Sequence, residues 1–381
     1  RLGSTLSSST SVDAQRIAQS VLRAILAAAA ERKPCQREER GPVSAILRRE
    51  PRLFFHAYDH QRPAGGQKHT YAQVDALNQR GFQAFVAHGR EDFRLDWFEH
   101  ATRIIGPAEL SRLYDPTLDL LVLPEDLGPR IHALPGRKVI FNKGIHSGFR
   151  ALGFEADAPS PYERADVVAV LAVSEHNAQI LRHAYPGTPV HLTRPGLDFE
   201  RFAARPLRDK RRQIAWAPKN PSGLACLRQI LAARARQGRN QLGNFTWLRI
   251  AELSEAQTIA ALQESLIFVF LSTEEGYGLL PREAALCGCI TVTYDAGTLD
   301  GLAAKGRHAP GDMLAAVARI EQAAAAGPDA LTGWQAEVDA ARIEVGRMSL
   351  HAAGDEAAQA WGAILRALTH GSAADDAALI Y

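Results

Sequence analysis

The sequence has little net charge, few cysteines and no long hydrophobic run, and each scarcity excludes a class of protein. The formal charge is only +2, so no strongly basic face is expected for bulk nucleic-acid binding. The four cysteines, Cys35, Cys226, Cys287 and Cys289, form no C-x-x-C pair. This argues against a zinc knuckle and favours a reducing compartment. No run of about 18 apolar residues is present, so we expect no transmembrane helix.

The length of the chain indicates more than one domain. Its 381 residues exceed the roughly 100–200 residues of a typical domain, so two domains are expected. Charged residues make up 23% and hydrophobic residues 46%, which is usual for a soluble globular protein.

The first 51 residues are predicted to form an N-terminal extension. An apolar stripe over 12–34 indicates a helix. Residues 21–30 resemble a signal-peptide core, but Arg23 interrupts them and no basic cluster comes first, so we expect no signal peptide. Residues 1–52 carry ten basic and five acidic side chains. The helix therefore either rests on an anionic membrane or packs as a cap or dimer contact.

Apolar strands alternate with helices over the rest of the chain, which indicates parallel sheets covered on both faces. The first round is predicted over 52–195, with helix 69–81 closed by Gly81. A linker at 194–213 leads into the second domain, predicted over 196–348. A last helix at 349–370 is expected to cross back onto the first domain. Strands are predicted at 52–58, 82–88, 118–125, 137–144, 165–174, 214–218, 245–250, 266–272 and 289–294.

One stretch, STEEGYGLLPREAALCGC at 272–289, has two carboxylates on either side of a Gly-Tyr-Gly turn. It leaves a predicted strand and enters a helix near Leu279. Glycines leave backbone N–H groups uncovered, and these groups at a helix N-terminus suit an anion or a sugar hydroxyl. Glu283 would lie one turn into the helix, where a carboxylate can accept both hydroxyls of a ribose.

Each carboxylate also has a plainer explanation. Glu283 would offset the helix dipole, as acidic residues in first turns commonly do. Glu275 alone would be a surface charge. Their spacing around the Gly-x-Gly turn favours a ligand site.

The pattern E-G-[YF]-G-L-x-P-x-E-A resembles the signature of retaining GT-B glycosyltransferases, the large family 4 group. Segments 54–88, 170–202 and 285–302 are similar to further parts of that family, so the resemblance spans roughly 52–368. It implies an α/β fold of two Rossmann-like, doubly wound domains facing across a cleft. It also implies transfer of a sugar from a UDP-, GDP- or dTDP-linked donor to a hydroxyl of a polysaccharide, lipid-linked glycan or small molecule.

The resemblance implies a donor site in the second domain. Glu283 would bind the ribose and Glu275 the donor sugar. The other implied donor-binding residues are Gly276, Tyr277, Gly278, Leu279, Gly65, Gly66, Ile250 and Leu253. Gly65 and Gly66 could equally form a plain surface loop. Ser254 and Glu255, beside the base-binding loop, could simply cap the next helix.

A basic pair usually neutralises the diphosphate in this family. Lys219 matches in kind and is predicted to be catalytic with Glu275, although a solvated loop lysine is the plainer reading. The usual Gly-Arg dipeptide is absent, because Ala217 and Pro218 stand there instead. Arg194 and Arg282 are candidates for the second cation.

The acceptor side departs from the family. The usual D-x-x-x-x-H becomes DLLVLPED at 119–126, which makes Glu125 a possible sugar contact. Asn142, Lys143 and His146 follow another strand, and Arg194 lies at the linker. Each is a possible acceptor or sugar contact.

No Asp-x-Asp is present, so we predict metal-independent transfer with no cofactor. A nucleotide-sugar 2-epimerase of the same fold is one alternative, but its extra carboxylates and histidine cannot be located in the sequence. A non-catalytic nucleotide-sugar-binding protein is another, and the two retained glutamates argue against it. We expect a cytoplasmic protein, with peripheral contact to the inner membrane left open, as is the oligomeric state.

Overall fold

The computed structural model of this 381-residue chain describes residues 49–153, 159–299, 302 and 304–378. The helix predicted at 12–34, and nearly all of the predicted extension 1–51, lie outside the described residues. Among the helices of the described part, none is both long and apolar enough to cross a membrane.

The first sheet has seven parallel strands in the order β3-β2-β1-β4-β5-β6-β7. Their bounds are β1 (Leu53–His56), β2 (Ala84–Ala87), β3 (Ile104–Ile105), β4 (Leu120–Pro124), β5 (Arg137–Asn142), β6 (Val167–Ala172) and β7 (Val190–Leu192). Successive side chains enter opposite faces, since Leu53 and Phe55 belong to one buried cluster and Phe54 to another. Both faces are therefore covered, which explains why the strands are apolar throughout.

The helices of the first sheet are α1 (Gly65–Gln79), α2 (Pro107–Leu113), α3 (Ile145–Leu152) and α4 (Glu175–Ala184). Gly81, with φ of 89°, follows the end of α1 as predicted. The predicted start of α1 was wrong, because the helix begins at Gly65 rather than 69. The two glycines therefore form its first turn and present bare backbone N–H groups.

The second sheet has five parallel strands in the order β12-β11-β10-β8-β9. Their bounds are β8 (Arg211–Trp216), β9 (Thr246–Arg249), β10 (Ser265–Phe270), β11 (Ile290–Tyr294) and β12 (Arg307–His308). The helices are α5 (Pro221–Arg236), α6 (Glu255–Glu264), α7 (Leu279–Leu286), α8 (Met313–Ala325) and α9 (Pro328–Gly346). Since β8 already begins at Arg211, the predicted linker 194–213 was three residues too long.

A last helix, α10 (Leu350–Ala378), packs on the first sheet. Its Trp361 is fully buried, with its ring centroid 5.7 Å from that of Phe55. The chain therefore crosses between the sheets twice, once before β8 and once after α9. The crossings touch, because the Leu197 N–H donates to the Met348 carbonyl at 3.0 Å. A Cβ on Gly196 would lie 2.7 Å from the Leu350 Cα, so this approach requires glycine.

Candidate active site

A cleft of about 640 Å³ lies between the two sheets. Its walls are the segments that follow β1, β2, β5, β6, β7, β8, β9 and β10. The strand order of each sheet reverses at one point, between β1 and β4 in the first and between β8 and β10 in the second. Ligands of doubly wound sheets bind at such points, outside the carboxyl ends of the strands.

The Gly-Tyr-Gly loop after β10 needs its two glycines for different reasons. Gly278 has φ of 70°, and an added Cβ would also lie 2.3 Å from Leu299 Cδ2. Gly276 does not adopt positive φ. A Cβ there would lie 1.8 Å from the Lys143 carbonyl oxygen, in the loop after β5. Gly276 thus allows the backbones of the two sheets to meet across the cleft.

Arg282 holds this loop in place from within. Its Nε donates to the Tyr277 carbonyl at 3.1 Å, and an Nη donates to the Thr298 carbonyl at 2.9 Å. The guanidinium also stacks 4.2 Å from the Tyr277 ring centroid. Arg282 is only 6% exposed and is not among the residues that line the cleft. The suggestion that it binds phosphate was wrong, because its donors serve the loop instead.

Glu275 and Lys219 meet at the cleft wall. The Lys219 Nζ lies 3.5 Å from Glu275 Oε1, within ion-pair range. That oxygen is buried, yet no described residue donates a hydrogen bond to it. The side chain of Lys219 is 56% exposed, whereas that of Glu275 is 14% exposed. Glu275 lines the cleft, and its carboxylate keeps hydrogen-bonding capacity that no described residue uses.

Glu283 points across the cleft to Lys68 of α1. The Lys68 Nζ lies 2.7 Å from Glu283 Oε1 and 2.6 Å from Glu255 Oε1. Burial works against the charge of Lys68, but the carboxylates of Glu283 and Glu255 outweigh it and raise the pKa of Lys68 above its usual range. Arg201 Nε neutralises the other oxygen of Glu255 at 2.9 Å.

The remaining predicted donor residues also line the cleft. Gly65 and Gly66 approach it from α1, where added Cβ atoms would lie 3.1 Å from Leu279 Cδ1 and from Lys143 Cδ, respectively. Ile250 and Leu253 line it after β9. Ser254 caps α6 in a capping box with Gln257, which confirms the prediction that Ser254 caps a helix.

The predicted acceptor residues are dispersed. Lys143 lines the cleft, and Glu125 lies behind it, accepting from Ser147 Oγ at 2.8 Å and lying 3.5 Å from the Lys143 Nζ. His146 is exposed and does not line the cleft.

Two of the predicted contacts have structural partners instead. Asn142 is fully buried, and its amide donates to the Tyr162 hydroxyl at 2.9 Å. It therefore lies in the sheet core rather than in the cleft. The Nε of Arg194 donates to Glu356 of α10 at 2.8 Å, and its backbone N–H donates to the same carboxylate at 2.6 Å. Arg194 thus fixes α10 to the linker, and it is not among the residues that line the cleft.

A buried chain of polar groups holds the segment between β1 and α1. Asp59 Oδ1 lies 2.8 Å from His88 Nδ1, and His88 Nε2 lies 2.6 Å from the Tyr71 hydroxyl. Asp59 also accepts from the Gly89 N–H at 3.1 Å. The ends of β1 and β2 are thereby joined, and the position of the cleft wall that follows β1 is fixed.

Sequence comparison finds no matching family model and no matching curated protein. Solved structures do match. An α,α-trehalose 6-phosphate synthase from Burkholderia multivorans is 10% identical with a TM-score of 0.57, over 85% of this chain and 100% of that chain. HepE of Anabaena, in complex with UDP-glucose, is 14% identical with a TM-score of 0.55, over 82% and 99%. The chain has the GT-B fold. The predicted fold class is confirmed, and at this identity the likeness carries the fold alone.

The GT-B cleft contains cations that sequence reasoning missed. Arg62 and Arg249 line it, and among the described residues neither forms an ion pair. Arg249 is the last residue of β9, and this position at a strand end could have identified it as a cleft residue. No sequence pattern identifies Lys68 as a cleft residue, because its partners come from the other sheet. Within the described part of the chain, no group of three His, Cys, Asp or Glu side chains is arranged to hold a metal ion.

Proposed function

We propose that this protein is a retaining glycosyltransferase that moves a sugar from a nucleotide-sugar donor to a hydroxyl of an acceptor. The proposal rests on the hydrogen-bonding environment of Glu275. Its Oε1 is buried at the cleft wall and accepts no hydrogen bond from a described residue, although Lys219 lies 3.5 Å away. Leaving a buried acceptor unpaired costs about 1–3 kcal/mol, which a sugar hydroxyl would recover.

The similar solved structures support a nucleotide-sugar donor. HepE was solved with UDP-glucose, and an Escherichia coli structure of the same fold was solved with UDP-2-fluoro glucose. In our proposal the base lies against Ile250 and Leu253 and the ribose against Glu283. The donor sugar lies against Glu275, and the acceptor enters beside Gly66 and Lys143. A glycan or a lipid-linked glycan would suit an acceptor site of this kind.

The chemistry requires stabilisation of a diphosphate leaving group. Lys219 and the backbone N–H groups at the start of α7 would supply positive charge without a metal ion. The acceptor oxygen bonds to the anomeric carbon on the face from which the phosphate oxygen leaves. That phosphate oxygen takes the hydroxyl proton, which retains the anomeric configuration. Closure of the cleft would exclude water and so limit hydrolysis of the donor.

A cytoplasmic location is proposed from the cysteines. Among the described residues, Cys226, Cys287 and Cys289 are all free thiols. Free thiols without disulfides are usual for a reducing compartment.

Two experiments test the function. Thermal shift with a panel of nucleotide sugars identifies the donor, because a ligand of the folded state raises the melting temperature. Donor turnover is then compared between wild type, Glu275→Gln and the control Glu274→Gln. Glu274 has an exposed partner, Arg150, and does not line the cleft.

We expect Glu275→Gln to lose about 100-fold or more in turnover, as loss of a transition-state contact does, with Glu274→Gln near wild type. Unchanged turnover in Glu275→Gln would refute the role that we propose for Glu275. Interconversion of the sugar without an acceptor would identify an epimerase, and binding without turnover a binding protein.

A further inference from the structure

Lys68 is a cation of the first sheet whose partners lie on the second. It is the fourth residue of α1, and its ammonium bridges Glu283 and Glu255 at 2.7 Å and 2.6 Å. The side chains of these two carboxylates are only 9% and 7% exposed. Lys68 also lies 5.0 Å from the centroid of the Phe202 ring. The ammonium is thus held on several sides at one position in the cleft.

The bridge leaves hydrogen-bonding capacity unused. An ammonium has three donors, and the two carboxylates take two of them. Glu283 uses Oε1 for Lys68, and no described residue donates to its Oε2. Both side chains line the cleft, and 22% of the Lys68 side chain remains accessible. One free donor therefore lies beside one free acceptor.

A vicinal diol complements this pair. Each hydroxyl both donates and accepts, so one can donate to Glu283 Oε2 while its neighbour accepts from the Lys68 Nζ. The 2′- and 3′-hydroxyls of a ribose are such a diol, with the 2′-hydroxyl accepting from Lys68 and the 3′-hydroxyl donating to Glu283. A 2′-deoxyribose has only one of the two hydroxyls and would leave a buried group unpaired.

Joining the two sheets does not by itself require Lys68 to reach Glu283. The Glu255 N–H already donates to the Trp97 carbonyl at 2.8 Å, and Arg201 already links Glu255 to Glu99. These contacts hold the same surfaces together without touching Glu283. The additional bond from Lys68 to Glu283 is therefore better explained by the ligand that Glu283 faces.

We propose that Lys68 and Glu283 together bind the two ribose hydroxyls of the donor, which makes the site selective for ribonucleotide over 2′-deoxyribonucleotide donors. The inference rests on the proposed function, since it assumes a nucleotide donor. Because Lys68 and Glu283 belong to different sheets, the complete diol site exists only when the cleft is closed. Recognition of the ribose is thereby coupled to closure.

The test measures dissociation constants of nucleoside diphosphates in pairs: UDP with 2′-deoxy-UDP, GDP with 2′-deoxy-GDP, and ADP with 2′-deoxy-ADP. For the base that binds, we expect the ribose form to bind at least about tenfold more tightly, the value of one hydrogen bond to a charged group. Lys68→Met should bring the ratio close to one, and Lys68→Arg should retain most of it.

Arg201→Met is the matched control, because it removes a cation from Glu255 and leaves Glu283 untouched. Its ratio should equal that of wild type. If Lys68→Met unfolds, the double variant Lys68→Met/Glu255→Gln removes one of the carboxylates left unpaired and tests the same ratio. Equal affinity of wild type for both forms, or a ratio unchanged in Lys68→Met, would overturn the inference and leave the transferase proposal standing. Binding of no nucleoside diphosphate would overturn both.

Discussion

Gly276 provides the sharpest test of how the two sheets meet. An alanine there would place its Cβ 1.8 Å from the Lys143 carbonyl oxygen and 2.8 Å from the carbonyl carbon. Both atoms belong to backbone, so no side-chain rotation relieves the overlap. Real Cβ atoms stay at least 3.0 Å away, and the two loops must therefore separate by about 1.2 Å, the difference from 1.8 Å.

The separation displaces Glu275, the proposed catalytic group, more than it displaces the cores. Glu275 precedes Gly276 directly, so it moves relative to the first sheet by a similar distance. A misplacement of about 1 Å can cost roughly 100-fold in rate, or about 2.7 kcal/mol of transition-state stabilisation. Tyr277 is the one buried member of the first-sheet cluster that comes from the second sheet, so the other buried members of both clusters keep their contacts. We expect the melting temperature to change by less than about 3 °C.

The measurement is kcat/KM for donor consumption by Gly276→Ala, with thermal unfolding measured on the same samples. Gly187→Ala is the control, because Gly187 has no atom within 4 Å of an added Cβ and does not adopt positive φ. It should match wild type in both assays. If Gly276→Ala retained kcat/KM within about threefold of wild type, the contact between these backbones would not govern the active geometry.

Two further predictions concern the free energy of unfolding. Arg194→Met should lower the free energy of unfolding by up to about 1 kcal/mol through loss of Glu356, while a tenfold loss of nucleotide affinity would contradict our assignment. Burial lowers the pKa of His69 from 6.5 to about 4, so stability present above pH 6.5 is lost on acidification to pH 4, by about 3 kcal/mol. Urea unfolding at pH 7.5 and 4.5 should show a smaller loss for His69→Gln than for wild type or the exposed-site control His183→Gln, and equal losses would refute this.

The central strands were predictable from the sequence because they are buried on both faces and apolar throughout. The strands that sequence reasoning missed, β3, β7 and β12, have only two or three residues and lie at sheet edges. Edge strands need little apolar sequence, since only one neighbour pairs with them. Their position follows from the central strands rather than from their own composition.

The residues predicted from the single loop 275–283 line the cleft, except Arg282, whereas the contacts between the two sheets were not predicted. The order of residues from Glu275 to Glu283 places both carboxylates and the glycines at the end of one strand. Lys68 is paired with a residue 215 positions away in the chain, and no local pattern predicts this contact. Asn142 was predicted in the cleft because it ends β5, but its side chain points into the core and that of Lys143 does not. Successive residues of a strand face opposite ways, so one position decides the outcome.

The two adjacent chain crossings determine how the cleft can open. Leu197 pairs with Ser349 in a parallel bridge, and its N–H bonds to Met348, so the outgoing and returning segments form one narrow ribbon. A hinge rotation about this ribbon would open the cleft, and two paired crossings restrict sliding more than one crossing would. Opening about this axis would separate Lys68 from Glu283 and Gly276 from Lys143 in the same movement. Donor release and loss of the ribose site would then be one mechanical event.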